Sequence, residues 1–261
     1  SELQGTYGVV PNNNTEFVLA PYNSIWIRDY GANPAYLNDV DSLVLVDWIY
    51  NRFRFRDDTM AVAIADHFEL PLYSMTEAPY DLVNTGGNYM SDGMGQGFSS
   101  DLVLDENLAG NPWGASPKDE TGVAAAMDAF LGIDPYILME KLPYDGIHHI
   151  DMHMKLLDEE TLIVGQFPEG ISDGPQIEAN IQYVINNFET AYGKDFNVIR
   201  IPQPPCGNGS YPPFCSNSFE YRTYVNSMIV NGSILVPIYG TAQDDEALAI
   251  WEENMPGYKV V

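Results

Sequence analysis

Between Tyr144 and Gln166 the chain runs Tyr144-Asp-Gly-Ile-His-His-Ile-Asp-Met-His-Met-Lys-Leu-Leu-Asp-Glu-Glu-Thr-Leu-Ile-Val-Gly-Gln166. Apolar and polar residues alternate on either side of Asp158-Glu159-Glu160, a pattern that predicts two strands joined by a tight turn. Successive side chains on a strand face opposite ways. His149, Asp151 and His153 then share one face, and Ile150, Met152 and Met154 share the other. The second set has the character of core, and the first sets imidazoles beside a carboxylate.

Working outward, the same pattern recurs. Ser42–Tyr50 predicts a strand, and Asp57-Asp58 lead a helical spacing of Met60, Ala61, Ile64, Ala65 and Phe68. Pro71–Met75, Tyr136–Met139 and Asn197–Ile201 predict strands, and residues 119–131, 175–192 and 243–254 predict helices. A hairpin is expected over Thr223–Pro237 about Asn231-Gly232, and a last strand over Tyr258–Val261. Another strand, Glu16–Ala20, precedes Asn23-Ser-Ile-Trp-Ile-Arg-Asp-Tyr-Gly31, an alternating run that ends at Asp29 before a glycine turn. Asp29, Asn88, His149 with Asp151, and Asn226 fall at equivalent places in this repeat, 59, 61 and 77 residues apart. Repeating ββαβ units that cannot bury their own faces would close into a ring, with these polar residues at its centre. The chain holds about four such units, so the ring is expected to be incomplete at both ends.

Composition narrows the partners. The 261 residues are 45% hydrophobic, enough for a sizeable core, and carry a net charge of −26. That balance argues against nucleic acid, whose phosphates need Lys and Arg. No apolar run is long enough to span a bilayer. Arg52, Arg54 and Arg56 cluster in one short stretch, where either ligand binding or local charge pairing accounts for them. The only cysteines, Cys206 and Cys215, sit in a Gly- and Pro-rich loop and are expected to pair in an exported, secreted or cell-surface protein.

Two separated carboxylates with a histidine suit a planar cation: a guanidinium offers N–H donors in a fixed fork that carboxylates match. His149 can serve as general acid and base. The same His149, Asp151 and His153 also have a spacing that permits a metal, and so many carboxylates are compatible with a structural calcium.

Trp26-Ile-Arg-Asp-Tyr-Gly31, Thr85-Gly-Gly-Asn88 and His149-Ile-Asp151 resemble the motifs of the guanidino-group-modifying (pentein) superfamily. Within it they resemble agmatine deiminases and, most closely, Porphyromonas-type bacterial peptidylarginine deiminases. The resemblance implies an α/β five-bladed ββαβ propeller, residues 1–261 forming a deiminase catalytic domain. It implies that Asp29 and Asp151 hold the substrate guanidinium, that His149 is the acid/base, and that Trp26 walls the substrate. Asn88 and Asn226 become substrate-binding residues, and Arg52 with Arg54 would receive the carboxylate of a C-terminal arginine. The implied substrate is an arginine-containing peptide, with agmatine or free arginine as the alternative; no cofactor is implied. The family's nucleophilic cysteine belongs to a final module absent from this chain, which a second polypeptide would otherwise supply. The chain alone is then expected to be inactive. A binding protein that keeps the pocket without the thiol is the rival from another class.

Overall fold

The computed structural model describes residues 18–37 and 40–261. After one helical turn, α1 (Ile27–Tyr30), the chain builds the same α/β unit four times. Two antiparallel strands come first, then helix, then a strand that returns parallel to the second. The first unit is β1 (Asn33–Leu37), β2 (Ser42–Tyr50), α2 (Phe55–Asp58), α3 (Met60–Phe68) and β3 (Leu72–Met75). A short β4 (Val83–Asn84) then pairs with the far end of β2. The second unit is β5 (Met90–Ser91), β6 (Gly97–Ser100), α4 (Leu102–Glu106), α5 (Glu120–Leu131) and β7 (Tyr136–Met139). The third is β8 (Met154–Leu156), β9 (Thr161–Gln166), α6 (Gly174–Asn187) and β10 (Asn197–Pro202). The fourth is β11 (Met228–Val230), β12 (Ser233–Leu235), α7 (Asp244–Asn254) and β13 (Lys259–Val260).

No unit buries its apolar surface alone. Val46, Trp48 and Met75 of the first unit share a core with Val103, Val123, Met127 and Ile133 of the second. Phe98, Ile137 and Met139 of the second pack with Leu162, Ile177, Ile181 and Val184 of the third. Ile163 and Ile201 of the third pack with Tyr224, Ile234, Ala247 and Trp251 of the fourth. Helices α5, α6 and α7 thus bridge their own sheet and the one before it. Nearest-neighbour burial of this kind makes stability a property of adjacent units rather than of single ones.

Local chemistry explains the boundaries. The Asp119 side chain accepts from the Gly122 N–H at 2.9 Å and starts α5, and Gly132 ends it with φ +66°. Asn231 and Gly232 both have positive φ, as a two-residue hairpin turn requires. The strands beside that turn are shorter than expected. Thr223 Oγ1 accepts the Val225 N–H and Val225 O accepts the Ser227 N–H, which folds the chain back before Met228. Helix α6 stops at Asn187 rather than 192, where two asparagines of low helix propensity meet a turn closed at Gly193.

Two expected strand ends are turns instead. Met152 N–H donates to His149 O and His153 N–H to Ile150 O, so Ile150–Met152 is a 3-10 turn and β8 begins only at Met154. Likewise Gly31 N–H donates to Ile27 O, making the Trp26–Tyr30 run helical. His149, Asp151 and His153 therefore do not line one face of a strand. Ile150, Asp151, Met152 and His153 are all buried, so the alternation does not separate an inner face from an outer one. Of the expected strand Glu16–Ala20, residues 16 and 17 lie outside the described residues, and residues 18–20 are not extended into a strand. No helix among the described residues is long and apolar enough to cross a membrane.

Candidate active site

The first three units begin with lead-in turns that converge. They are α1, the 3-10 turn Gly86–Asn88, and the 3-10 turn Ile150–Met152. Their meeting depends on two bare glycines. A Cβ on Gly86 would lie 1.9 Å from Arg28 O. One on Gly87 would lie 2.3 Å from His149 Nδ1 and 2.9 Å from Asp29 Oδ1. All three separations are shorter than a Cβ keeps, so Gly86-Gly87 is what lets Asp29 and His149 approach.

The segment that leads into α1 is anchored to the first unit. The buried Asp57 carboxylate accepts the N–H groups of Asn23 and Ser24 at 2.6 and 3.0 Å and the Ser24 hydroxyl at 2.6 Å. Tyr30 O–H donates to Ser24 O at 2.7 Å and its ring packs edge-on against Tyr50. Burial raises the pKa of Asp29, against the pull of Arg52, Thr85, the Gly87 N–H and Arg54.

His149 Nδ1 stands 3.7 Å from Asp29 Oδ1, and its Nε2 is buried with no hydrogen-bond partner. Burial pushes His149 down to about 3, helped by Arg52 and His148, so the imidazole beside Asp29 is neutral at physiological pH. Asp151 is buried with Oδ1 unpartnered. Burial raises its pKa, opposed by Lys155 and Arg28 and reinforced by Asp29 and Asp145. His153 is also buried, with both ring nitrogens unpartnered, and burial lowers it to about 4. Among the described residues no group of three His, Cys, Asp or Glu side chains is placed to hold a metal, so these three do not assemble a metal site.

The remaining candidates divide. Arg52 and Arg54, between β2 and α2, act electrostatically on Asp29. Arg54 Nη1 donates to Ser24 Oγ and Tyr50 Oη at 3.3 and 3.4 Å. Trp26, 56% exposed, stands at the start of α1. Asn88 is buried in the convergence, but its amide is committed to the Ser100 main chain: Ser100 N–H donates to Oδ1 at 3.0 Å and Nδ2 donates to Ser100 O at 3.2 Å. Asn226 is exposed and reaches only the Met152 sulfur, at 3.5 Å. Cys206 and Cys215 form a disulfide in the loop after β10.

Ser100 escaped sequence reasoning. Its hydroxyl donates to His148 O at 2.7 Å, which carries the Asn88 clamp on to the residue before His149. Nothing marks a serine at the end of a buried strand as special until its partners are known. Two cavities of about 270 and 370 Å³ flank Arg28, the first lined by Lys155 and the second by Asn226.

The fold has counterparts among known proteins. A Vibrio parahaemolyticus protein named "Putative agmatine deiminase" is 21% identical over 96% of this chain and 73% of its own length. The structure of the "Putative Arginine Deiminase from Porphyromonas gingivalis" superposes with a TM-score of 0.76 at 19% identity, covering 99% of this chain and 76% of that one. Agmatine deiminase of Enterococcus faecalis superposes with a TM-score of 0.75 at 19% identity, over 93% and 70%. At such identities the superpositions speak for the fold. The α/β units, the converging turns and the match of residues 3–261 to the family description agree, and the chain belongs to the Porphyromonas-type peptidyl-arginine deiminase family.

Proposed function

We propose that Asp29 and Asp151 bind the guanidinium of a small guanidino compound, such as agmatine, for hydrolytic deimination to a ureido group with release of ammonia. The carrying observation is the meeting of Asp29 and His149 across bare Gly87, with an unpartnered oxygen of buried Asp151 in the same convergence. A planar cation supplies the donors these acceptors lack. In the family's chemistry a cysteine thiol gives its proton to neutral His149 and attacks the guanidinium carbon. The same proton leaves with ammonia, giving a thiouronium. Water, deprotonated by His149, then attacks that carbon and expels the thiolate, leaving the ureido product.

Arginine at the end of a peptide is the second reading. It is favoured by Arg52 and Arg54, whose charges act on Asp29 and could meet a carboxylate. The names of the curated relatives favour agmatine. Calorimetric titration of the chain with agmatine and with a peptide ending in arginine separates the two. Asp151→Asn should weaken whichever ligand binds by about 2–5 kcal/mol, the cost of removing one partner from a buried charge pair. Unchanged affinity in that variant would overturn the guanidinium assignment.

Both cysteines are in the disulfide, so the nucleophile in this proposal lies outside residues 1–261. Four units, against relatives of which the chain spans 73–76%, support reading them as part of a five-bladed ring whose further module carries that cysteine. The comparisons lend no support to a second polypeptide as its source. The purified 261-residue chain should bind without turnover, and ureido product formed by it alone would refute this. The disulfide favours an exported, oxidising location.

A further inference from the structure

Behind Arg52 lies a buried acid that the mechanism above does not use. Glu106, at the end of α4, belongs to the second unit, whereas Arg52 follows β2 of the first. Asn51 Nδ2 donates to Glu106 Oε1 at 2.6 Å, and Arg52 Nη1 lies 3.8 Å from the same oxygen while donating to Asn51 O at 2.8 Å. Glu106 and Asn51 are both buried, and Glu106 Oε2 and Asn51 Oδ1 have no partners. Arg52 is half-buried and acts on both Asp29 and His149. One carboxylate thus stands within ion-pair range of a guanidinium whose charge acts on the paired acid and imidazole.

We infer that Glu106 is a specificity-determining residue of this site: by offsetting the charge of Arg52 it sets how readily the site accepts a guanidino ligand that also bears a carboxylate. An ionised Glu106 neutralises Arg52, which favours a ligand that is only cationic. A neutral Glu106 leaves the Arg52 charge free, which repels such a ligand and attracts a carboxylate. The inference rests on the guanidinium reading of the site and goes beyond it by assigning the discrimination to a residue of the second unit. Geometry supplies the coupling, and ionisation supplies a way to vary it. Burial pushes Glu106 up to about 7, opposed by Asn51 and Arg52, with Asp105 raising it further and Lys141 lowering it. Those three, Arg52, Asp105 and Lys141, are the charged groups that act on it.

The test is calorimetric titration of the purified chain with agmatine and with N-acetylarginine at pH 8.5 and pH 5.5. The ratio of the two affinities is the readout, because titration of Asp29 or Asp151 moves both ligands together. In the unaltered chain the ratio should move roughly fivefold towards N-acetylarginine at the lower pH, the scale of a half-exposed ion pair. Glu106→Gln should show the low-pH ratio at both values, with agmatine still bound. A ratio that ignores pH in the unaltered chain, or a variant that keeps its pH dependence, overturns the inference and leaves the guanidinium reading standing. Failure of the unaltered chain to bind either ligand overturns both. Should Glu106→Gln not fold, Arg52→Met decides: loss of the pH dependence supports the inference, and its persistence refutes it.

Discussion

Asp81, Asp244 and Asp151 are all less than a tenth exposed, yet their surroundings differ in kind. Asp81 accepts the Ser116 N–H and hydroxyl and the Lys118 ammonium, the last at 2.7 Å. Asp244 accepts the N–H groups of Tyr239, Gly240 and Thr241 and the hydroxyls of Thr241 and Tyr224. In both, burial is outweighed by these donors and the pKa falls. Asp151 keeps an oxygen without a donor, and its pKa rises. Depth alone does not decide which way a buried acid's pKa moves; the completeness of its partners does.

The sharpest way to break this contrast is to strip a partner from the complete network. Lys118→Met leaves Asp81 buried with its serine donors only. It should cost about 3–5 kcal/mol, the penalty for an uncompensated buried charge, and lower Tm by roughly 10 °C for a chain of this size. Agmatine affinity of the folded variant should be unchanged. A Tm within 2 °C or so of the parent would mean that the Asp81 network is no more structural than the open one.

Gly87→Ala attacks the other side. Its methyl would fall on His149 Nδ1 and Asp29 Oδ1, which must then part. Overpacking of this kind costs about 1–3 kcal/mol, and here it should appear as a loss of agmatine affinity of roughly tenfold or more. Thermal stability should fall less than in Lys118→Met. Equal affinity in the alanine variant would show that the Asp29–His149 approach is not needed for binding.

Asp29→Asn should carry the opposite sign from a break in the complete network. The raised pKa means that the ionised carboxylate is less favourable folded than unfolded. That cost grows as pH rises above the model-peptide value of 3.8 and is fully present once the folded group is ionised. Asparagine keeps the shape without the charge. At pH 8 its Tm should equal or slightly exceed the parent's, by less than about 1 kcal/mol because the side chain is partly exposed. The difference should vanish well below pH 3.8, where the carboxyl is protonated folded and unfolded alike. A lower Tm at pH 8 would place Asp29 with Asp81 and Asp244.

How much of this was legible depended on whether a pattern had one physical meaning. The run Val44–Trp48 could be buried only in a strand covered on both faces, and Tyr136–Met139 ended where its apolar run ended. Asn231-Gly232 announced its turn because few residues accept positive φ. The Asp29, Asn88, His149 and Asn226 spacing located the lead-in segment of every unit. What it misread was their conformation, since a turn buried on all sides shows the same alternation as a strand. The clamp of Asn88 on Ser100 joins residues 12 positions apart through main-chain hydrogen bonds, and Glu106 comes within 3.8 Å of Arg52, 54 positions away. No spacing rule marks such pairs.

The smallest effect is expected at Asn226, and it bears on whether the fourth unit belongs to the site as firmly as the first three. Asn226 stands at the equivalent place in its unit, two residues before β11, as Asn88 stands two before β5. Asn88 is buried and makes two main-chain hydrogen bonds; Asn226 is exposed and donates only to the weak thioether acceptor of Met152. Met152 follows Asp151, so the contact can steady that acid but cannot replace a missing donor. An exposed bond to sulfur should be worth less than about 1 kcal/mol. Asn226→Ala should therefore weaken agmatine by no more than about fivefold and leave Tm unchanged. A loss as large as that of Gly87→Ala would show that the amide reaches the ligand itself. The repeat register would then define the site better than the contacts among its residues do.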